Sequence, residues 1–405
     1  MTWHLGGGTL IDGTGVDPVR ADVSVDGTRI GAVGSAPRGE AIDVTGLTVL
    51  PGLIDGHVHL DVSSDIRASI HGEISVAERA ADIFNNCTAT LMAGFTTVRD
   101  TGGIDDGLVR TIETGRIQGP RILHCGPIIC QRGGHGHFQT PFQRVEDLKV
   151  EVLGLYGHVL LTDGPDEMRR SAREAFRRGA SFLKLCVTGG GVSLTDSLDD
   201  TQFQVDEIAA AVAEANARHT YVTVHAHNNE GIRNAIAAGV RCVEHGSRID
   251  DETAELMAAN DVALMPTLAV AEKLAEDPVG HGLPPQIGDR VRSVMAGMAD
   301  AILAARKAGV LVGSGSDLIG PLQDRRGLEL VLKAKIIGPM EAIVSATKVN
   351  AEILRISDDV GTVETGKRAD LIAVDFDPVS EPHLWEDADR VKLVVKAGQI
   401  VKDTR

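Results

Sequence analysis

The spacing of apolar residues divides the chain into two kinds of territory. Residues 1–52 carry short apolar or alternating runs cut by glycine-rich turns, in "GGTLIDGTG", "ADVSVDGTRIGAVG" and "LTVLPG". Residues 356–405 have the same texture, in "VGTVETGKRADLIAVDF" and "VKLVVKAGQIVKD". Such runs, with Asp-Gly or Ala-Gly between them, predict β-strands joined by tight turns. Residues 53–355 follow another rhythm. Eight strand-like runs recur there: "LIDGHVH" (53–59), "FTTVRD" (95–100), "RILHCGPII" (121–129), "FLKLCV" (182–187), "YVTVHAH" (221–227), "CVEHG" (242–246), "ALMPTLAV" (263–270) and "VLVGSGSD" (310–317). Helical stretches lie between most of them. "PDEMRRSAREAFRRGA" has acids in its first turn and arginines later, while "VDEIAAAVAEANARH" and "NEGIRNAIAAG" space apolar residues as one helix face requires. Repeated strand–helix units predict an α/β fold, a (β/α)8 TIM barrel. An open parallel sheet would produce the same pattern.

Candidate chemistry gathers at the ends of these runs. His57 and His59 lie two apart on the first run, so in a strand they face the same way and can grip one metal ion. The pair alone does not establish a metal site. Active groups of a barrel sit at the C-terminal ends of its strands. His225 and His227 close the fifth run, His245 the sixth and Asp317 the eighth, while Lys184 lies within the fourth. Metal-capable groups at one end of separate strands are what a shared site requires.

Composition narrows the field. The formal net charge is −17 and no basic cluster offsets it, so nucleic acid and anionic lipid are expected to be repelled rather than bound. The same charge also simply keeps a protein in solution. No apolar run reaches bilayer-spanning length, and "MTWHLGGGTL" lacks the basic start and apolar core of a signal peptide, so no membrane partner and a cytoplasmic location are expected. Five cysteines, odd in number and without Cys-x-x-Cys spacing, suit reduced thiols.

Taken together, "GLIDGHVHL", "FLKLCVTGGG", "VHAHNNEGIRNAIAAGVRCVEHG", "MPTL", "GSGSD" and "GTVETGKRADLIAVD" resemble the amidohydrolase superfamily of metal-dependent hydrolases, over nearly the whole chain. Within it the chain is most similar to the branch that cleaves dipeptides ending in proline or arginine and related N-acyl amino acids; its likeness to imidazolonepropionate hydrolases is looser. The resemblance implies a barrel over residues 53–355 and a small β-sandwich built from residues 1–52 and 356–405. It implies two divalent metal ions, zinc by preference, acting on a small-molecule substrate. His57, His59 and Asp317 would hold one ion, His225 and His245 the other, and Lys184, carboxylated by carbon dioxide, would bridge them. Carboxylation needs a neutral amine, which burial among Phe182, Leu183, Leu185 and Val187 would favour; a lysine snorkelling from a strand edge is the alternative. Asp317 would move the proton. His135 and His227 would touch the substrate, with His137 competing for the His135 role, and Gly190 in "TGGG" would let backbone approach it. A homo-oligomer is expected, since barrels of this size often pair through their outer helices.

Other residues carry lesser expectations. Asp100 could orient a ligand histidine, pair with Arg99 or cap a helix; Glu244, beside His245 on a strand, should face away from the site. Asn228 and Asn229 could reshape the pocket mouth. Asp196, Asp199, Asp200 and Asp206 would suit a cationic substrate end. Residues 274–290 could form a lid or an ordinary loop. Besides amide hydrolysis, attack on a cyclic amide, carbamate, urea or lactone remains open, because a fold does not fix a substrate. A non-catalytic scaffold would be expected to have lost ligand positions that are filled here.

Overall fold

The computed structural model of the protein describes residues 2–34, 37, 39–62, 73–139, 142, 144, 151–193, 195–281, 283 and 285–405. Gly282 and Pro284, within the 274–290 stretch singled out above, and Leu194, two residues before Asp196, lie outside the described residues.

Both chain ends are built of strands, as their apolar pattern predicts. One sheet joins Arg29–Gly34, Asp22–Asp26, Thr2–Gly6 and Glu40–Asp43. A second interleaves the two ends, in the order Gln399–Asp403, Val391–Lys396, Leu371–Val374, Thr48–Pro51, Thr9–Leu10, Val19–Arg20. Their inward residues, among them Leu5, Val23, Val25, Val49, Leu371 and Leu393, form a hydrophobic cluster of their own.

The middle of the chain is α/β. Seven of the eight expected runs contain parallel strands, distributed over two sheets. One orders Arg121–His124, Phe95–Asp100 and Leu53–Val58; the other orders Val159–Leu161, Ile128–Cys130, Leu183–Cys186, Val222–Ala226, Cys242–His245 and Ala263–Met265. The third run is interrupted between His124 and Ile128, so its two halves belong to different sheets. The Val159–Leu161 edge strand had no counterpart among the eight runs. The seventh run ends early: Ala263–Met265 is strand, and Leu268–Glu276 is helix.

The eighth run is not a strand. Only Val312 makes a bridge, to Leu264. Its polar backbone is taken up by side chains instead. Asn350 accepts from Ser314 N and donates to Ser314 O, Lys333 Nζ donates to Gly313 O, and Asp55 accepts from Ser316 N. Two further backbone bonds, Gly56 N to Ser314 O (2.8 Å) and Asp317 N to His57 O (2.9 Å), lace this segment to the first strand. Glycine makes the approach possible, since a Cβ on Gly315 would stand 2.5 Å from His57 Cβ.

Helices cover the parallel strands and begin where the sequence signals place them. Val76–Met92 opens with a reciprocal capping box between Ser75 and Glu78. Pro165–Arg177 has proline at its start and Asp166 and Glu167 in its first turn. Asn229–Ala238 is capped by Asn228 and ended by Gly239, at φ +92°. All five cysteines are buried and free. Among the described residues, no helix is long and apolar enough to cross a membrane.

Candidate active site

The strand ends bring the expected residues together. His57 lies one residue before the end of the Leu53–Val58 strand with its ring buried, and its Nδ1–H donates to Glu244 at 2.7 Å. His59 Nδ1–H donates to the Gly102 carbonyl, also at 2.7 Å. A carbonyl and a carboxylate only accept, so both rings carry their proton on Nδ1 and turn a bare Nε2 inward. Those two nitrogens are 3.4 Å apart, and Asp317 Oδ1 lies 3.6 Å from one and 3.4 Å from the other. His57, His59 and Asp317 thus offer three ligand atoms within 4.8 Å of one another. Two lone pairs and a carboxylate so close repel unless a proton or cation sits among them. This neutral-imidazole and carboxylate set fits a divalent ion such as zinc.

The other rings continue the array. His245 lies 5.0 Å from His57 and 4.6 Å from His225 between ring centroids. Its Nδ1 is 2.7 Å from Thr267 Oγ1 and 3.9 Å from Asp317 Oδ2. His225 stacks on His135 at 4.0 Å and meets His227 edge-on at 4.8 Å. His227 is held by Ser247 Oγ on Nδ1 and by Thr188 Oγ1 on its backbone N–H. Lys184 is buried on its strand, and its amine makes no hydrogen bond or ion pair with the described residues.

Burial dominates the electrostatics. It holds every ring of the array toward the neutral form, His59 at about 4 and His227 at about 3, with the positive charge of Lys184 pushing the same way. Burial also pushes Asp317 up to about 8, against the opposing pull of Lys184. The amine is thus felt by His57, His59, His225, His227, His245, His135 and Asp317 together.

His245 and Asp317 both adopt left-handed backbone, at φ +69° and +53°. Such conformations in non-glycine residues cost on the order of 1 kcal/mol and cluster at functional sites. The turn at His245 also explains a departure from expectation. Strand alternation places Glu244 on the opposite face, yet Glu244 is fully buried against His57 and also accepts from Arg99 Nη2 at 2.6 Å and from Thr223 Oγ1. Once His245 leaves the extended conformation, the alternation that separates neighbours no longer applies, and both side chains serve one site.

The remaining expected residues sort plainly. His135 joins the ring array, with Gly190 directly beneath it: a Cβ at 190 would lie 2.0 Å from His135 Cε1. His137 does not join it; its nitrogens bond to Gly133 N and Gln139 Oε1 within its own loop. Asp100 touches no ligand ring. It accepts from Leu60 N and Gly102 N, fixing the backbone on either side of the His59–Gly102 bond. Asn228 caps a helix, and Asn229 accepts from Asp250 N. The aspartates proposed for a cationic substrate are committed elsewhere: Asp196 to Ser193 and Gln202, Asp199 to Arg248, Asp200 to Ser197 N, Asp206 to Glu207 N. Arg290, at the end of the 274–290 stretch, lies on the helix Pro285–Ala308 and bonds to the Gly190 and Ser193 carbonyls.

Comparison with known proteins agrees with this arrangement. Residues 48–401 match the model of the Amidohydrolase family. Ochratoxinase of Aspergillus niger is 30% identical over 373 residues, covering 87% of this chain and 75% of that protein. A prolidase complexed with N-methylphosphonate-L-proline superposes with a TM-score of 0.94 at 35% identity, covering all of both chains. A Xaa-Pro dipeptidase with bound methionine in its active site gives 0.89 at 32%, covering 99% of this chain and 100% of that one. With the family match running from Thr48 through the histidine array to Val401, the chain belongs to the amidohydrolase family and is a hydrolase acting on C–N bonds.

Proposed function

We propose that this protein cleaves the amide bond of dipeptides or N-acyl amino acids at a centre of two divalent metal ions. The observation that carries the proposal is the convergence of His57, His59, His225, His245 and Asp317 around the Lys184 amine, which has no partner among the described residues. His57, His59 and Asp317 would hold one ion, His225 and His245 the other, and Lys184, carboxylated, would be shared between them. Zinc suits the donors. The names of the prolidase and the Xaa-Pro dipeptidase, whose folds align end to end with this one, support a substrate with an amino-acid leaving group. The parallel strands would close into a (β/α)8 barrel, with the laced 310–317 segment completing the ring between Ala263–Met265 and Leu53–Val58. Residues 1–52 and 356–405 would form the accompanying β-sandwich.

Bound metal supplies a Lewis acid for the carbonyl and a water acidic enough to ionise near neutral pH. The chain's own groups do the rest. Asp317 takes a proton at its carboxylate from the attacking water and delivers it to the departing nitrogen. Its backbone N–H bond to His57 O and its left-handed turn fix where that carboxylate points. Glu244 and the Gly102 carbonyl hold the tautomers of His57 and His59, so that both present Nε2. His135 and His227 line the substrate side of the array.

Two measurements test this reading. Metal analysis of protein purified with zinc and bicarbonate should find about two equivalents per chain, as a two-metal site requires. A panel of Xaa-Pro, Xaa-Arg and N-acyl amino acids, run beside lactones and carbamates, should show turnover confined to the amides. Hydrolysis of only the lactones or carbamates would overturn the substrate assignment; a metal-free, inactive protein would overturn the whole.

A further inference from the structure

Behind His135 stands a short chain of hydrogen bonds whose direction can be worked out from its far end. Asp196 is buried on the loop after the Leu183–Cys186 strand, with Arg290 Nη1 4.0 Å away. A carboxylate only accepts. Ser193 Oγ therefore donates to Asp196 Oδ1, and Gln202 Nε2 donates to Oδ2 at 2.9 Å. Gln202 then has its oxygen left for His135 N–H, which it meets at 3.1 Å. The orientation of the amide is thereby fixed by two partners that agree.

The same logic passes through the serine. With its one proton spent on Asp196, Ser193 Oγ can only accept from His135 Nδ1, 3.1 Å away. His135 must carry a proton on Nδ1. The ring cannot turn away, because it is clamped between the Gly190 backbone and the His225 ring. Nε2 has no hydrogen-bond partner among the described residues.

We propose that Asp196 is a positioning residue that, through Ser193, fixes the Nδ1–H tautomer of His135 and presents Nε2 as an acceptor to an N–H or O–H of the substrate or attacking water. The proposal rests on the amide-hydrolase reading for what Nε2 meets, but not for the tautomer itself. It also gives Asp196 an inward role in place of the cationic-substrate role considered for it above.

The tautomer can be read without turnover, from two-bond proton–nitrogen correlations of the full-length, 15N-histidine-labelled protein, with His135 signals identified by their loss in His135→Asn. The expected result is Nδ1–H in the wild type and in Ser193→Thr, which keeps the hydroxyl, and a shift toward Nε2–H in Ser193→Ala and Asp196→Asn. On a substrate from the panel above, the last two variants should lose at least about tenfold in kcat with KM little changed, less than the roughly 10²–10⁴-fold of a group that transfers the proton itself; Ser193→Thr should retain most of it. A wild-type Nε2–H tautomer, or a Ser193→Ala variant with unchanged tautomer and kcat, would overturn the proposal. If Asp196→Asn does not fold, Ser193→Ala decides. If no panel substrate is cleaved, the function proposed above falls while the spectrum still decides the relay.

Discussion

Glu244 has its charge committed twice, to the Arg99 guanidinium and to the His57 ring, with no exposure to water at either end. Replacing it by glutamine leaves Arg99 buried without its counter-charge, a loss of about 3 kcal/mol or more. The melting temperature of Glu244→Gln should therefore drop by several degrees, and metal affinity by roughly tenfold to a hundredfold, as happens when a ligand histidine loses its orienting partner; calorimetry and metal titration would check both. Asp317 sets a second expectation. Burial raises its carboxyl to about 8 in the metal-free protein, so at neutral pH a proton must leave before metal binds, whereas the rings are already neutral. Affinity for zinc should rise as pH climbs toward about 8 and level off above it, with uptake of metal releasing a proton below that point. Calorimetric titration in buffers of different ionisation heat measures the release directly. That His57 and His59 face one way was legible in the sequence, because residues two apart on a strand share a face. Glu244 was not: the rule that excluded it assumes extended backbone through His245, and the left-handed turn there is a tertiary outcome.

The elements that position the site differ in how openly the chain announces them. Leu53–Val58, Phe95–Asp100 and Val222–Ala226 are rich in apolar and β-branched residues and form strands within a residue of their expected ends. The 310–317 segment is apolar enough to suggest a strand but finds its partners in Asn350, Lys333 and Asp55, residues remote in sequence. No local pattern could reveal that exchange. The closeness it permits is a vulnerability. Gly315→Ala would press a methyl group into His57 Cβ, and because the obstacle is the root of a side chain, it cannot swing aside. Overpacking of this kind costs typically about 1–3 kcal/mol, and here the backbone that moves is the one bearing His57 and Asp317. The variant should fold with a lowered melting temperature and a disproportionate loss of kcat. Gly309→Ala, where a Cβ meets nothing within 4 Å but φ is +87°, is a control for strain alone and should lower stability with kcat retained.

At the scale of the whole molecule, the two chain ends are bound into one sheet, and the carboxyl-terminal strands also touch the α/β part. Lys396 Nζ donates to Gly119 O and Lys402 Nζ to Met92 O. Val391, Leu393, Val394 and Val395 are all buried. At about 2 kcal/mol for each, their removal rivals the roughly 5–15 kcal/mol that holds a typical domain together. A chain ending at residue 390 should therefore lose its cooperative thermal transition and most of its soluble yield, even though every proposed metal ligand is intact; recovery of a sharply melting protein would contradict this. The left-handed backbone at His245 and Asp317 has a longer reach. A histidine and an aspartate hold a geometry that glycine would adopt with less effort. Any lineage that abandoned hydrolysis would inherit the contortion without its justification. Relaxation to glycine at 245 and 317 would then be the conformational fossil by which a silent cousin could be told from a working one.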